Sequence, residues 1–354
     1  MGLYWAVMVF VGVLGLAALM IVHELGHYLA ARRFGMRVVK FSIGFGPALW
    51  KYQPKGSPTT YQIGIIPFLA YVQVAGMNPY EEIEEGDKGS YANASLWARI
   101  VTIFAGSLAN YLFASVFFFV GLLHTGLPHA DRICNAPSVC VVPNANGPAA
   151  KAGVLKGDRI VTIDGSPIKV WDDLAEAVTT AGSRELLVQI ERDGQVMDKR
   201  MSPVDGKIQV GPHVRIWFQK LTIADAGMRS VRAPFLIVKE YVSGIGQWIR
   251  GQVKLEFGGP LRLVKEVGEA AREGGLGGYL TALGTISAML AAFNLFPLPA
   301  LDGGRLLFLL FEAISRRRPN AKAEAIVHAV GLLLFLGLIA VITIVSDIPH
   351  ALKK

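Results

Sequence analysis

The chain has 354 residues, of which 52% are hydrophobic and 18% are charged. This composition is too apolar for a water-soluble enzyme of this length and too charged for a chain made only of membrane spans, so it predicts a membrane protein with a soluble insert. The net charge of +8 comes from basic residues beside apolar stretches, which is typical of orientation signals and argues against nucleic acid as a partner.

Four segments are long and apolar enough to cross a bilayer, at about 4–29, 100–123, 280–314 and 325–346. Basic residues follow the first and third segments, whereas the amino-terminal flank carries no charge. Because cytoplasmic loops retain positive charge, we expect both basic blocks inside the cell and both chain ends outside. A fifth apolar stretch at 233–249 contains Lys239 and Glu240, and we interpret it as an amphipathic helix on the membrane surface.

The first span contains a metal-binding pattern, His23-Glu24-Leu25-Gly26-His27. Residues four apart share one face of a helix, so His23 and His27 can bind one Zn²⁺ while Glu24 stands beside it to handle a water molecule. An ordinary helix with two polar faces is the alternative. Ionisable groups at membrane depth cost at least ~2.5 kcal/mol each, however, and rarely persist without a use. The pattern therefore predicts metal-assisted hydrolysis with one zinc ion per chain.

Between Val38 and Gly76 the chain is rich in β-type residues, broken by glycines and prolines, which predicts short strands and turns. Parts of this block are apolar on both faces, and exposed sheet edges are not tolerated in lipid. We therefore expect a membrane-associated β block that packs against the spans and dips towards the metal motif. A cytoplasmic hairpin packed on itself is the alternative.

Residues 139–204 have the pattern of a small α+β domain, with an amphipathic helix near Asp172–Thr180 and strands near Leu186–Glu191. The ordered turns and elements resemble a bacterial PDZ domain. Such domains bind the ends of extended peptide chains by adding them to a sheet edge. The two cysteines, Cys134 and Cys140, lie near its start and are interpreted either as a disulfide or as two free thiols.

A catalytic zinc usually takes three protein ligands, of which the two histidines supply two. The other ionisable candidates in the apolar segments are Asp302, Glu312 and His328. Asp302 lies in Asn294–Gly304, where two prolines and paired glycines must break the helix at membrane depth. Broken backbone needs a protein-lined, partly wet cavity, as hydrolysis does, so Asp302 is favoured. We expect His328 and Glu312 at the interface, with Glu312 beside Arg316.

Together, His23–His27, Gly106–Asn110 in the second span, the PDZ-like insert and Asn294–Gly304 resemble the site-2 protease family of intramembrane zinc metalloproteases. The resemblance is closest to the bacterial branch that includes the regulator of sigma-E protease, although this chain has room for only one PDZ domain. It implies that Glu24 is the general base and that three residues bind zinc: His23, His27 and Asp302. It also implies substrate contacts from four residues: Asn294, Asn110, Pro297 and Pro299.

The fold that follows is a four-span helical membrane protein with a β block and one inserted PDZ domain. Its expected divisions are 1–126 (two spans and the β block at 38–76), 139–204 (PDZ domain), 205–279 (an interfacial amphipathic segment) and 280–354 (the last two spans). The resemblance implies a bacterial inner-membrane location, with both termini and the PDZ domain periplasmic and the site near the cytoplasmic face.

The resemblance further implies hydrolysis of peptide bonds within or near the membrane segment of single-span proteins. The expected substrates are regulators similar to anti-sigma factors, after a first external cleavage, or remnant signal peptides. The partners are then these substrates, the bilayer and peptide ends bound by the PDZ domain. A metal-ion transporter and a catalytically silent PDZ scaffold remain as alternatives.

Overall fold

The computed structural model describes residues 2–66, 70–78, 81, 84, 86–132, 139–252 and 258–349. The chain divides into two compact units. The first comprises Met1–Gly126 with Lys220–Lys354, and the second is Leu127–Gln219. The second unit thus includes the predicted PDZ segment and extends beyond both of its ends.

Within the described residues the helices are α1 Gly2–Arg33, α2 Leu96–Thr125, α3 Pro148–Lys151, α4 Trp171–Ala181, α5 Ile223–Ile249, α6 Pro260–Asn294, α7 Asp302–Ser315 and α8 Ala321–Ile342. The strands are β1 Val38–Ile43, β2 Phe45–Tyr52, β3 Thr60–Ile66, β4 Tyr71–Val74, β5 Leu127–Arg132, β6 Val139–Pro143, β7 Arg159–Ile163, β8 Ser166–Pro167, β9 Leu186–Arg192, β10 Gln195–Met201, β11 Val210–Pro212 and β12 Val214–Gln219.

Four helices in the described part of the chain are long and apolar enough to cross a membrane, which confirms the predicted number. They are Ala6–Arg33, Leu96–Thr125, Pro260–Asn294 and Lys322–Asp347. The predicted surface helix at 233–249 is part of α5 and is not among these candidate spans.

The predicted third span, 280–314, is wrong at its carboxyl end. α6 ends at Asn294, and α7 is a separate helix of 14 residues. The physical reason lies between them, because Pro297 and Pro299 cannot donate a backbone hydrogen bond and their rings clash with the preceding helical turn. At the other end Gly275 has a φ of 56° and interrupts α6, so the apolar half of α6 begins close to the predicted start.

Glycines let α1 approach its neighbours closely. A Cβ on Gly26 would overlap the carbonyl oxygen of Ala105 on α2 and come within 2.8 Å of Ala109 Cβ. A Cβ on Gly12 would overlap the carbonyl oxygen of Val264 on α6. Small residues at helix crossings allow the backbones of membrane helices to pack together. The turn of α1 that carries the metal motif is therefore fixed against α2.

The β block forms one four-stranded sheet in the order β2-β3-β1-β4, with β1 and β3 parallel and the other neighbours antiparallel. Its buried side chains pack with those of α1: Phe41 and Val74 share a cluster with Tyr28 and Ala31. The prediction that this block packs against the first span is confirmed, and a hairpin packed only on itself is wrong. β4 lies at one edge of the sheet.

The second unit has a sheet in the order β10-β9-β7-β6-β11, with β8 paired to β7, and a separate ladder of β5 with β12. Its apolar core includes the fully buried Val141, Val188 and Ile190, and α4 contributes Leu174 and Val178. The predicted helix at 172–180 and the strand at 186–191 are confirmed as α4 and β9. The interpretation of the cysteines involves Cys134, which lies outside the described residues.

Candidate metal centre

Side chains from α1 and α7 meet at one point of the first unit. His23 Nε2 lies 3.2 Å and His27 Nε2 lies 3.3 Å from Asp302 Oδ2, and the two histidine nitrogens are 3.2 Å apart. Within the described chain these three residues form a cluster able to hold a metal ion. The two helices thus join the three residues that the sequence predicted as ligands.

The triangle fits a zinc ion. Ligand atoms at about 2.0–2.1 Å from a tetrahedral zinc lie about 3.3–3.4 Å apart, close to the three distances observed. Asp302 Oδ2 is also a buried atom without a hydrogen-bond partner among the described residues. An anionic oxygen in such surroundings needs a cation, because an unpaired buried charge is costly. Two imidazoles and one carboxylate are a ligand set typical of catalytic zinc, which keeps one position open.

α2 fixes the orientation of the His27 ring. His27 Nδ1 lies 2.8 Å from the carbonyl oxygen of Thr102, which can only accept, so Nδ1 carries the hydrogen. Nε2 then keeps its lone pair for a metal. This arrangement is typical of histidine ligands, whose second nitrogen donates to a carbonyl or carboxylate.

Asn110, also on α2, faces the ring of His23. Its Nδ2 lies 3.4 Å from His23 Nδ1, while its Oδ1 is buried without a partner among the described residues. Rotating the Asn110 side-chain amide by 180° exchanges the positions of its nitrogen and oxygen. Oδ1 then accepts a hydrogen bond from His23 Nδ1–H, which leaves His23 Nε2 free to bind metal. Asn110 is fully buried. Its predicted contact with substrate stays a prediction.

Gly106 lies between Thr102 and Asn110 on the same face of α2. A Cβ at Gly106 would overlap His27 Nε2 and come within 2.8 Å of His23 Cε1. Sequence reasoning named Gly106 only through the family resemblance and missed Thr102. The signal was present in the spacing, because residues 102, 106 and 110 are four apart and line one stripe of a helix.

Glu24 lies beside the triad on the side of the β block. It is half-buried, and the backbone amide of Val72 on β4 faces its carboxylate. Because β4 is an edge strand, no other strand of the described residues pairs with its outer backbone groups. A carboxylate and a row of peptide hydrogen-bonding groups therefore lie next to each other.

The segment that carries Asp302 turns back sharply. Asn294 ends α6 and is half-buried, whereas Pro297 and Pro299 are exposed. Ala300 has a φ of 79°. A Cβ on Gly303 would overlap the carbonyl oxygens of residues 295 and 296, so the paired glycines are needed for the close return of the chain. The predicted substrate contacts of Asn294 and the two prolines stay predictions.

The other two ligand candidates have different partners. Glu312 accepts hydrogen bonds from both terminal nitrogens of Arg99, at 2.9 and 2.5 Å, and Arg318 lies 3.4 Å away. Its partners are therefore Arg99 and Arg318 rather than the expected Arg316. His328 Nδ1 accepts a hydrogen bond of 3.1 Å from the Ala300 amide. Neither residue belongs to the triad.

A cavity of about 610 Å³ lies along β4. Its walls are Tyr71–Val74 and Gly76–Asn78 on one side and residues of α7 and α8, among them Arg305, on the other. A second cavity of about 440 Å³ is lined by Leu25 and by aromatic side chains of α1 and the β block. The first cavity is lined by Val72, whose amide faces Glu24, and the second by Leu25, the residue after Glu24.

Comparison with known proteins places the chain among peptidases. The model of peptidase family M50 matches residues 11–338. A protein of Clostridium perfringens assigned as a zinc metalloprotease is 33% identical over 341 residues, which cover 94% of this chain and 96% of that protein. Proteins of Nostoc sp. and Rhizobium meliloti with the same assignment are 31% and 30% identical, each over 91% of both chains.

Proposed function

The chain belongs to peptidase family M50, the site-2 proteases, and we propose that His23, His27 and Asp302 hold its zinc ion while Glu24 acts as general base. The protein is a zinc metalloprotease of the membrane, as its family and its four apolar helices indicate. The observation that supports these assignments is the triangle of two imidazole nitrogens and one carboxylate oxygen, with sides of 3.2–3.3 Å, beside Glu24.

His23, His27 and Asp302 would hold a zinc ion, whose Lewis acidity would lower the pKa of a water molecule and polarise a peptide carbonyl. Glu24 takes the proton of the attacking water and later delivers it to the leaving amine. Thr102 and Asn110 hold the two imidazoles so that both Nε2 atoms point to the centre. The peptide bond is cleaved without a covalent intermediate on the protein.

The substrate class we propose is the membrane segment of single-span proteins, unwound locally so that its carbonyls are accessible. The free edge of β4 supports this, because an extended peptide can add to it as a further strand. Such a strand would pass Glu24, which faces Val72, and the cavity beside β4 offers space for its side chains. Asn294, Pro297 and Pro299 are proposed to contact the same peptide.

We further propose that residues 139–204 form a PDZ domain that selects substrates by their trimmed ends. The sheet of the second unit and the helix α4 support this. The basic residues after α1 and after α7 support a cytoplasmic position for both loops, a periplasmic insert and a bacterial inner-membrane location. The proposed substrates are regulators similar to anti-sigma factors, and remnant signal peptides.

The test compares wild-type protein with Glu24→Gln in detergent, using a single-span test protein and measuring bound zinc in parallel. We expect one zinc per chain in both proteins and a fall in cleavage rate of about 10²–10⁴-fold in the variant, the usual contribution of a general base. Glu266→Gln on α6, an exposed carboxylate that pairs with Arg262, is the matched control and keeps full activity. Full activity of Glu24→Gln would refute the assigned base.

The alternatives predict other results. A metal-ion transporter moves zinc into vesicles and leaves the test protein intact. A silent scaffold binds the test protein but cleaves none of it. Membership of a peptidase family and a complete ligand triangle beside a carboxylate favour the protease.

A further inference from the structure

α8 packs loosely against the rest of the described protein. Several of the contacts that it does make lie close together, around His328 and Gly331. The apolar stretch of this helix has no buried residues. Yet His328 bonds to the Ala300 amide, and Gly331 lies so close to Pro299 that a Cβ on Gly331 would overlap Pro299 Cβ. The ring of His328 also lies 5.7 Å from that of Phe308 on α7. α8 is thus attached to the loop that carries Asp302.

The backbone conformation of this loop requires stabilising contacts from residues outside the loop. Ala300 has a φ of 79°, a region that residues with a Cβ avoid, and it lies two positions before Asp302. Such a conformation persists only where the surroundings impose it. The Ala300 amide must also find an acceptor, and His328 Nδ1 provides it at 3.1 Å. Without this bond the turn can relax and carry Asp302 away from the two histidines.

The use of a histidine at this place is informative. Because Nδ1 accepts, the hydrogen of the neutral ring is on Nε2, which lies 4.0 Å from Glu324 Oε1 and makes no hydrogen bond among the described residues. A polar side chain with only one of its two nitrogens hydrogen-bonded is unfavourable in an apolar helix, and its presence there indicates a structural or functional role. The bond to the loop is the use that the contacts reveal.

We propose that His328 is a positioning residue, which fixes the Ala300 turn and thereby places the Asp302 carboxylate against His23 and His27. The proposal rests on the assignment of Asp302 as a zinc ligand. Outer hydrogen-bonding partners of metal ligands typically affect affinity by about 10–100-fold, and we expect a loss in this range when the bond from Ala300 is removed.

The experiment measures zinc affinity by competition with a chelator, on the full chain in detergent, for His328→Asn, His328→Gln and His328→Ala. The oxygen of the shorter amide of Asn can take the place of Nδ1, whereas that of Gln reaches the place of Nε2. We expect Asn to keep zinc affinity within about threefold of wild type and Gln and Ala to lose about 10–100-fold. Leu334→Ala, on the lipid-facing side of α8, is the control and binds zinc as wild type does.

Rescue by Asn but not by Gln separates a hydrogen bond to the loop from general packing, and this comparison decides the matter even if the Ala variant does not fold. Equal affinity of Asn and Gln, or wild-type affinity of Ala, would overturn the proposal. Wild-type protein that binds no zinc would instead refute the ligand assignment, so the two failures can be told apart.

Discussion

Asp158 in the second unit and Asp302 in the first both have buried carboxylate oxygens, but the two carboxylates have different partners. In the second unit, Asp158 is 2% exposed and accepts hydrogen bonds from two nitrogens of Arg192 and from the Leu155 amide, each at 2.7 Å. In the first unit, three atoms at or near the candidate metal centre are buried without a hydrogen-bond partner in the described part of the chain: Asn110 Oδ1, Asp302 Oδ2 and His328 Nε2. Every such atom in the described chain belongs to the first unit.

This difference separates groups that stabilise a fold from groups held ready for a ligand. A buried carboxylate with three donors is satisfied, and removing it destabilises its surroundings. A buried carboxylate without donors destabilises the protein until a cation binds, so its removal costs binding rather than folding. Mutations in the two units should therefore change different measurable quantities.

The largest effect is expected for Asp302→Asn. The neutral amide removes the charge and one ligand from the triangle, so zinc affinity should fall by more than the ~10–100-fold that outer partners contribute, and cleavage should stop. Metal analysis and chelator competition on purified protein measure this. Asp158→Asn, in the second unit, is the matched control and should keep its zinc. Equal zinc affinity of wild type and Asp302→Asn would show that Asp302 does not bind zinc and would contradict the contrast with Asp158.

Asp158→Asn should instead destabilise the second unit. It leaves the Arg192 guanidinium without its carboxylate, and breaking a buried ion pair costs about 3–5 kcal/mol. Because Arg192 retains some access to water, we expect the lower end, about 3 kcal/mol. Hydrogen exchange of the β7 and β9 amides in the full chain measures this local stability. Unchanged exchange in these strands would contradict the role assigned to the pair.

Gly106→Ala probes the close packing at the metal centre. Its Cβ would overlap the His27 ring, and forcing an extra methyl group into a packed core costs about 1–3 kcal/mol. We expect weaker zinc binding and a lower melting temperature. Gly337→Ala on α8 is the control, because among the described residues no atom beyond its own turn of helix lies within 4 Å of the added Cβ, and alanine favours the helix. Equal behaviour of both variants would show that the α1–α2 contact tolerates the methyl group.

The sequence predicted much of this arrangement because its signals are local. The metal motif, the four spans, α4 and the β block all follow from spacing and composition within short windows. The end of the third span was misjudged because composition continues across Pro297 and Pro299 into α7, whereas backbone hydrogen bonding does not. The contact of His328 with Ala300 has no local signal, since it depends on how α8 packs against a distant loop.

The smallest expected effect is a change in the stability of α4, in the second unit, as the pH is lowered. Two backbone amides, of Lys169 and Val170, donate to Asp173 at the start of α4 and lower the pKa of this carboxyl below its usual value. A carboxyl with a lowered pKa in the folded state adds stability above about pH 4, and this stability is lost as pH falls through the folded value.

In Asp173→Asn this titration is absent, so the stability of α4 should change less between pH 6 and pH 3 than in wild type. Hydrogen exchange of the α4 amides at both pH values measures the difference. Asp172→Asn, one position earlier in the helix, is the matched control, because the side chain of Asp172 is exposed. An identical acid response of wild type and Asp173→Asn would mean that the two amide bonds do not stabilise the start of this helix.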